Sequence, residues 1–133
     1  MHVEIFTLCD AATFDRGKLN ILGSFDAIRA RAFPCKHPMC AVACKIRFDA
    51  AEDGKHVIDL SFSDPDMRPV LDPIHREFEI HMGDRLSHTH VYIHHYVGFH
   101  LERPGEYYFD LRIDGEDRSR IPLYVSQIDA PKV

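Results

Sequence analysis

His56-Val57-Ile58-Asp59-Leu60-Ser61-Phe62-Ser63, followed at once by Asp64-Pro65-Asp66, decides the fold class. Successive side chains of an extended chain point to opposite faces, so Ile58, Leu60 and Phe62 share one side and Asp59, Ser61 and Ser63 the other. A helix would need apolar spacing of three and four sustained over a longer run, and the chain does not sustain it. The Asp-Pro-Asp run then supplies the fixed φ and short acceptor side chains that a reversal uses.

The same period of two recurs on both sides of this stretch. Ile74 to Met82 carries Phe78, Ile80 and Met82 against His75, Glu77, Glu79 and His81. His88 to Leu101 carries Val91, Ile93, Val97, Phe99 and Leu101 on one side, interrupted by His95, and Tyr107, Phe109, Leu111 and Ile113 continue the pattern. Met39 to Phe48 sets Cys40, Val42, Cys44, Ile46 and Phe48 against Lys45 and Arg47. Segments near His2 to Cys9, Leu19 to Ala30 and Ile121 to Val125 complete the set, with Gly23 expected as a bulge and Pro122 expected to mark an edge or a break. Asp15-Arg16-Gly17-Lys18, Asp53-Gly54, Arg103-Pro104-Gly105 and Asp114-Gly115 punctuate the runs. Short strands with regular turns and no sustained helical spacing predict one all-β domain, residues 1-133, an antiparallel β-sandwich of roughly eight strands, immunoglobulin-like or C2-like, in preference to a barrel.

The chain has 133 residues and a formal net charge of −5. That length can bury about two thirds of the surface an unfolded chain exposes, so no disulfide or metal is needed to fold it. The negative balance argues against nucleic acid as a partner, because polyanion affinity rests on clustered Lys and Arg. The first ten residues carry no basic region followed by an apolar stretch, and no run approaches the ~20 apolar residues of a membrane-spanning helix. A cytoplasmic protein without a membrane partner is expected. Cys40 and Cys44, on one strand face, stand about 13 Å apart by strand rise, too far for a disulfide. Cys35, His37 and Cys40 lack the Cys-x-x-Cys knuckle of zinc sites. The four cysteines are therefore expected as reduced thiols, mostly buried.

Leu8-Cys9-Asp10, then Gly17-Lys18-Leu19-Asn20-Ile21-Leu22-Gly23-Ser24-Phe25-Asp26, and the late Gly105-Glu106-Tyr107 with Ile121-Pro122-Leu123-Tyr124-Val125 resemble a family of small uncharacterised bacterial proteins, a domain of unknown function. The resemblance spans most of the chain. Its motifs read as strand, turn, strand and closing hairpin, so it implies a compact fold and carries no activity or catalytic residue.

Histidine is the strongest compositional departure: ten in the chain, seven of them from His75 to His100. His88, His90, Tyr92, His94, Tyr96 and His100 fall on one face of one strand, opposite its apolar residues, and are expected on the solvent side. If the strands ending near Met82 and starting near His88 form a hairpin, same-face pairing sets His81 opposite His88, Glu79 by His90, Glu77 by Tyr92 and His75 by His94, with Phe78 against Val91. Glu79, His81, His88 and His90 would then surround a point where a divalent transition metal such as zinc could bind. The competing readings are a solvated polar face, and a protein interface that responds to pH through histidine charging. A cupin comparison fails because His94 and His95 stand where that pattern needs a carboxylate. Calcium could be considered at Asp64, Asp66 and Asp72, which are equally ordinary turn residues.

No Gly-x-Ser-x-Gly elbow and no phosphate-binding glycine loop occur. Glu77 and Glu79 share a face with no sign of a cleft between them. The expected function is a non-catalytic binding or scaffolding module that meets a protein partner, or itself, through a sheet face or edge. The alternative is a metal-binding protein or metal-dependent enzyme built on the histidine-rich strand pair.

Overall fold

Alternation is obeyed along most of the chain, and in the computed structural model, which describes residues 1–129, nine strands form. They are β1 (His2–Asp15), β2 (Lys18–Ser24), β3 (Ala27–Ala30), β4 (Cys35–Asp49), β5 (Gly54–Ser63), β6 (Ile74–Ile80), β7 (Ser87–Leu101), β8 (Gly105–Ile113) and β9 (Glu116–Gln127). A four-stranded sheet runs β2-β1-β4-β7 and a five-stranded sheet runs β3-β9-β8-β5-β6. The chain is all-β with two sheets, as expected, but two details differ. The expected strand from Leu19 to Ala30 is two strands in different sheets, because the chain crosses over at Phe25 and Asp26. And β3 lies parallel to β9, so the fold is not wholly antiparallel.

One core cluster joins the facing sides of the two sheets. β4 contributes Cys40, Val42, Cys44, Ile46 and Phe48, the face read from its alternation, and β5 and β8 contribute Ile58, Leu60, Phe62, Tyr107, Phe109, Leu111 and Ile113. Phe62 is its centre, with ring centroids 4.4 Å from Phe109, 4.8 Å from Phe99 and 5.4 Å from Tyr107. Tyr107 enters this cluster at the start of β8 while its hydroxyl donates to the Arg103 carbonyl at 2.6 Å. Such a tyrosine corner ties a strand to the turn before it in many β-sandwiches. Pro122 lies within β9 where the strand is bonded to β8 alone, since β3 joins only from Tyr124 onward. Its missing amide hydrogen therefore leaves no ladder on the β3 side unmade.

The four-stranded sheet also buries part of its other face. β1 pairs with β4 only as far as Cys9, and beyond that with β2 alone. Cys9, Ala12, Ala41 and Ala43 form a second buried cluster, packed by Leu19, Ile21 and Ile93. Alanines in the middle of β4 leave room for the β1–β2 hairpin to curl over them. Gly23 belongs to this curl: its φ is +67°, and a Cβ there would lie 2.5 Å from Asp10 Oδ2. Gly23→Ala is expected to destabilise the chain by about 1–3 kcal/mol through left-handed backbone strain plus the displaced carboxylate. The β1–β2 register runs past Gly23 without a shift, so the expected bulge is absent, and a urea midpoint unchanged from wild type would contradict this account of Gly23.

Candidate functional site

β7 pairs with β4 over its whole length, from Cys35 with Leu101 to Asp49 with Ser87, and this register fixes which way the histidines point. His88 stands beside Phe48, His90 beside Ile46, Tyr92 beside Cys44, His94 beside Val42 and Tyr96 beside Cys40. Residues opposite one another in a ladder share a face. The histidine and tyrosine side of β7 therefore looks into the space between the sheets, and Val91, Ile93 and Val97 look out. This reverses the expected orientation of residues 88–97. Phe99 and Leu101 are buried in the core nonetheless, because the alternation resets at Gly98, where φ is +65°.

The reversal has a physical reason. β7 is the outer strand of its sheet, so inward side chains reach water around the free edge while their ring bodies cover the core. No residue from Ser87 to Gly98 is fully buried, in contrast to the unbroken buried run Cys40 to Cys44 on β4. His90 stacks on Phe78 of β6 with centroids 3.9 Å apart and planes 7° apart. Tyr96 packs on Phe99 at 5.5 Å and meets His94 edge-on at 4.7 Å. A seam between the edges of the two sheets is thus lined by imidazoles and phenols, with Arg76 of β6 facing it from a position paired with Ile58.

The expected hairpin between the strands on either side of Gly83 does not form, because β6 pairs with β5 in one sheet and β7 with β4 in the other. The register that grouped Glu79, His81, His88 and His90 is therefore replaced. Glu79 and His81 stay together, 3.9 Å apart and open to water. His88 and His90 face the interior from the opposite sheet. Nor do Glu77 and Tyr92, or His75 and His94, become ladder neighbours, and His75 bonds Asp59 at 2.6 Å instead. Among the described residues no three His, Cys, Asp or Glu side chains converge as a metal-binding group. In the Asp64 loop the carboxylate is already used: Asp64 Oδ1 accepts from the amides of Asp66 at 2.8 Å and Arg68 at 2.9 Å, and Asp66 pairs with Arg103.

Burial lowers the pKa of His90, with further repulsion from His88 and His56. Burial does the same to His94, helped by Arg76 and His95. An unfolded histidine takes up its proton near pH 6.5, whereas these two resist it in the folded state. Their contribution is neutral above that pH and turns destabilising as pH falls below it. His90→Phe, which keeps the stack on Phe78, is expected to flatten part of the acid-side fall in melting temperature. An acid limb identical in slope to wild type would contradict the assignment.

A histidine that the sequence reading passed over is held more tightly. His56 Nδ1 lies 2.7 Å from Asp114 Oδ2 and Nε2 lies 2.6 Å from the Glu52 carbonyl. The signal available in the sequence was a histidine on the apolar side of an alternating strand, in step with Ile58 and Leu60, where only a satisfied polar group can sit.

On the five-stranded sheet, Arg120 pairs with Asp110, Arg112 with Asp117 and Arg118 with Glu116. No helix among the described residues is long and apolar enough to cross a membrane.

Comparison with known proteins adds the fold and little else. The sequence model of a family of unknown function matches residues 4–126. No curated protein matches the chain. Among solved structures, beta-glucosidase from Listeria innocua in complex with isofagomine superposes with a TM-score of 0.53 at 12% identity, covering 96% of this chain and 17% of that one. The same enzyme in complex with glucose gives 0.52 at 13% identity, with the same coverage. The chain thus spans under a fifth of these enzymes, and at this identity the likeness is one of fold alone.

Proposed function

Because this chain belongs to DUF6941, a family of unknown function, its role has to be read from its surface, and we propose that it is a non-catalytic β-sandwich binding module whose working surface is the free edge of β7. The Tyr107 corner supports the immunoglobulin-like branch of the sandwich fold. The observation that carries the functional reading is a contrast among the four edge strands. β2, β3 and β6 are 7, 4 and 7 residues long, and they carry Lys18, Arg29, and Arg76, Glu77 and Glu79 respectively. β7 is 15 residues long and contains no Lys, Arg, Asp, Glu or Pro. Sheet proteins normally blunt their edges with short strands, charge or proline. An edge left long and without permanent charge is suited to accept another strand through its backbone groups.

A direct test uses a short peptide of alternating valine and threonine with a lysine at each end, added to the protein while amide exchange is followed residue by residue. New protection confined to β7 supports the reading. Protection elsewhere, or none at the highest soluble peptide concentration, overturns it.

A further inference from the structure

We infer that the strand received by the β7 edge is β7 of a second copy of this chain, paired antiparallel across a two-fold axis at His94. This rests on the reading of β7 as a binding edge and adds the identity of the partner.

In an antiparallel pair related by a two-fold axis normal to the sheet, a residue meets the one equally far on the other side of the axis, and both lie on the same face. About His94 the segment is nearly symmetric in kind. Tyr92 meets Tyr96 of the other copy, and Val91 meets Val97, each twice. Ile93 meets His95, and His94 meets its own counterpart. From Val91 to Val97 residue type alternates in step with the faces, except that His95 stands on the otherwise apolar outer side. The inner side of the new ladder is aromatic, continuous with the rings that line the seam. Its outer side takes up Val97, 81% exposed in the single chain and paired with Met39, itself 52% exposed. A one-residue shift would set tyrosines against valines and lose the match on both faces.

Charge favours β7 over other surfaces as the place for such a self-contact. The chain carries a formal net charge of −5, so two copies repel over most contact geometries. β7 brings together only imidazoles, hydroxyls and apolar groups, with no Lys, Arg, Asp or Glu. Pairing there extends the four-stranded sheet into one of twice that width and leaves both β2 edges, with Lys18, at its ends.

Sedimentation velocity of the untagged chain over a wide concentration range at pH 7.5, with Val97→Lys and Leu22→Lys beside it, tests the proposal. Leu22, 69% exposed on β2, reports on an added lysine far from β7. The wild type and Leu22→Lys are expected to shift from monomer to dimer as concentration rises. Val97→Lys is expected to weaken the dimer about tenfold or more, because the symmetry repeats the lesion at both ends of the ladder. Its unchanged melting temperature would show that the fold is intact. A wild type that stays monomeric throughout overturns the self-pairing. If β7 still gains protection from the valine–threonine peptide, the edge reading survives without it. A dimer unaffected by Val97→Lys overturns the assignment to β7.

Discussion

Phe109→Ala lowers stability by about 3–5 kcal/mol, the largest effect expected of any single truncation in this chain. Phe109 is fully buried. Its ring lies 4.4 Å from Phe62, 6.0 Å from Tyr96 and 6.2 Å from Phe99 by centroids. It thus touches β5 within its own sheet and β7 across the interior. Removing it deletes transfer energy and leaves a void walled by aromatic rings, which relax poorly because each is also packed against the others. Domains of this size are stable by about 5–15 kcal/mol, so much of the margin would be lost. Urea denaturation should show a lower midpoint with an unchanged slope. A loss below about 1 kcal/mol would mean that the interior is far looser than this cluster implies.

The second large effect belongs to His56→Ala, about 3 kcal/mol by the worth of hydrogen bonds to charged groups. Both partners of the ring, a carboxylate and a carbonyl, only accept, so both ring nitrogens must donate and the ring is an imidazolium. Asp114 is tied in turn, since its Oδ1 accepts from the Val57 amide at 2.9 Å. The ring also packs on Phe48 at 4.6 Å. Burial opposes the charge on His56, but the bonds to Asp114 and Glu52 outweigh it and raise its pKa. Burial likewise works against ionised Asp114, and the His56 and Val57 bonds lower its pKa nonetheless. The histidine's contribution is complete below about pH 6.5 and is lost as pH rises through its higher folded value. The aspartate's is complete above about pH 4 and is lost as pH falls through its lower folded value. Denaturation at pH 6 and at pH 8.5 should show a gap between wild type and His56→Ala that narrows at the higher pH. A gap that widens there would refute the charged pair.

The alternation in β5, β6 and β8 made the all-β class and much of the core readable from sequence, because each of those strands has one buried face. In β7 alternation points the wrong way. Its period of two is real, yet both sides of the four-stranded sheet meet apolar clusters. The apolar side of the strand was therefore not a reliable pointer to the main core. The histidine grouping failed for a related reason. The segment from His81 to Leu86 has turn chemistry fit for a hairpin, but the chain uses it to pass between sheets, and nothing local distinguishes the two. The split of Leu19 to Ala30 had a cue in Ser24-Phe25-Asp26, two polar residues around an aromatic one, too weak to separate from an ordinary strand. His56 was legible in principle, since its position among Ile58, Leu60 and Phe62 demands burial.

The thiols of the interior give the molecule a built-in clock. Cys44 is fully buried and its pKa is pushed up to about 12 by burial. Cys40 is pushed to about 11 by the same cause, with Cys9 and Asp10 adding to it. Only a thiolate attacks an alkylating reagent, so these two sulfurs react at the pace at which β4 is exposed by opening of the sheet. Cys35, at the half-buried end of the same strand, reports fraying there. The spread of alkylation times along one strand thus separates local loosening from global unfolding, without an introduced label.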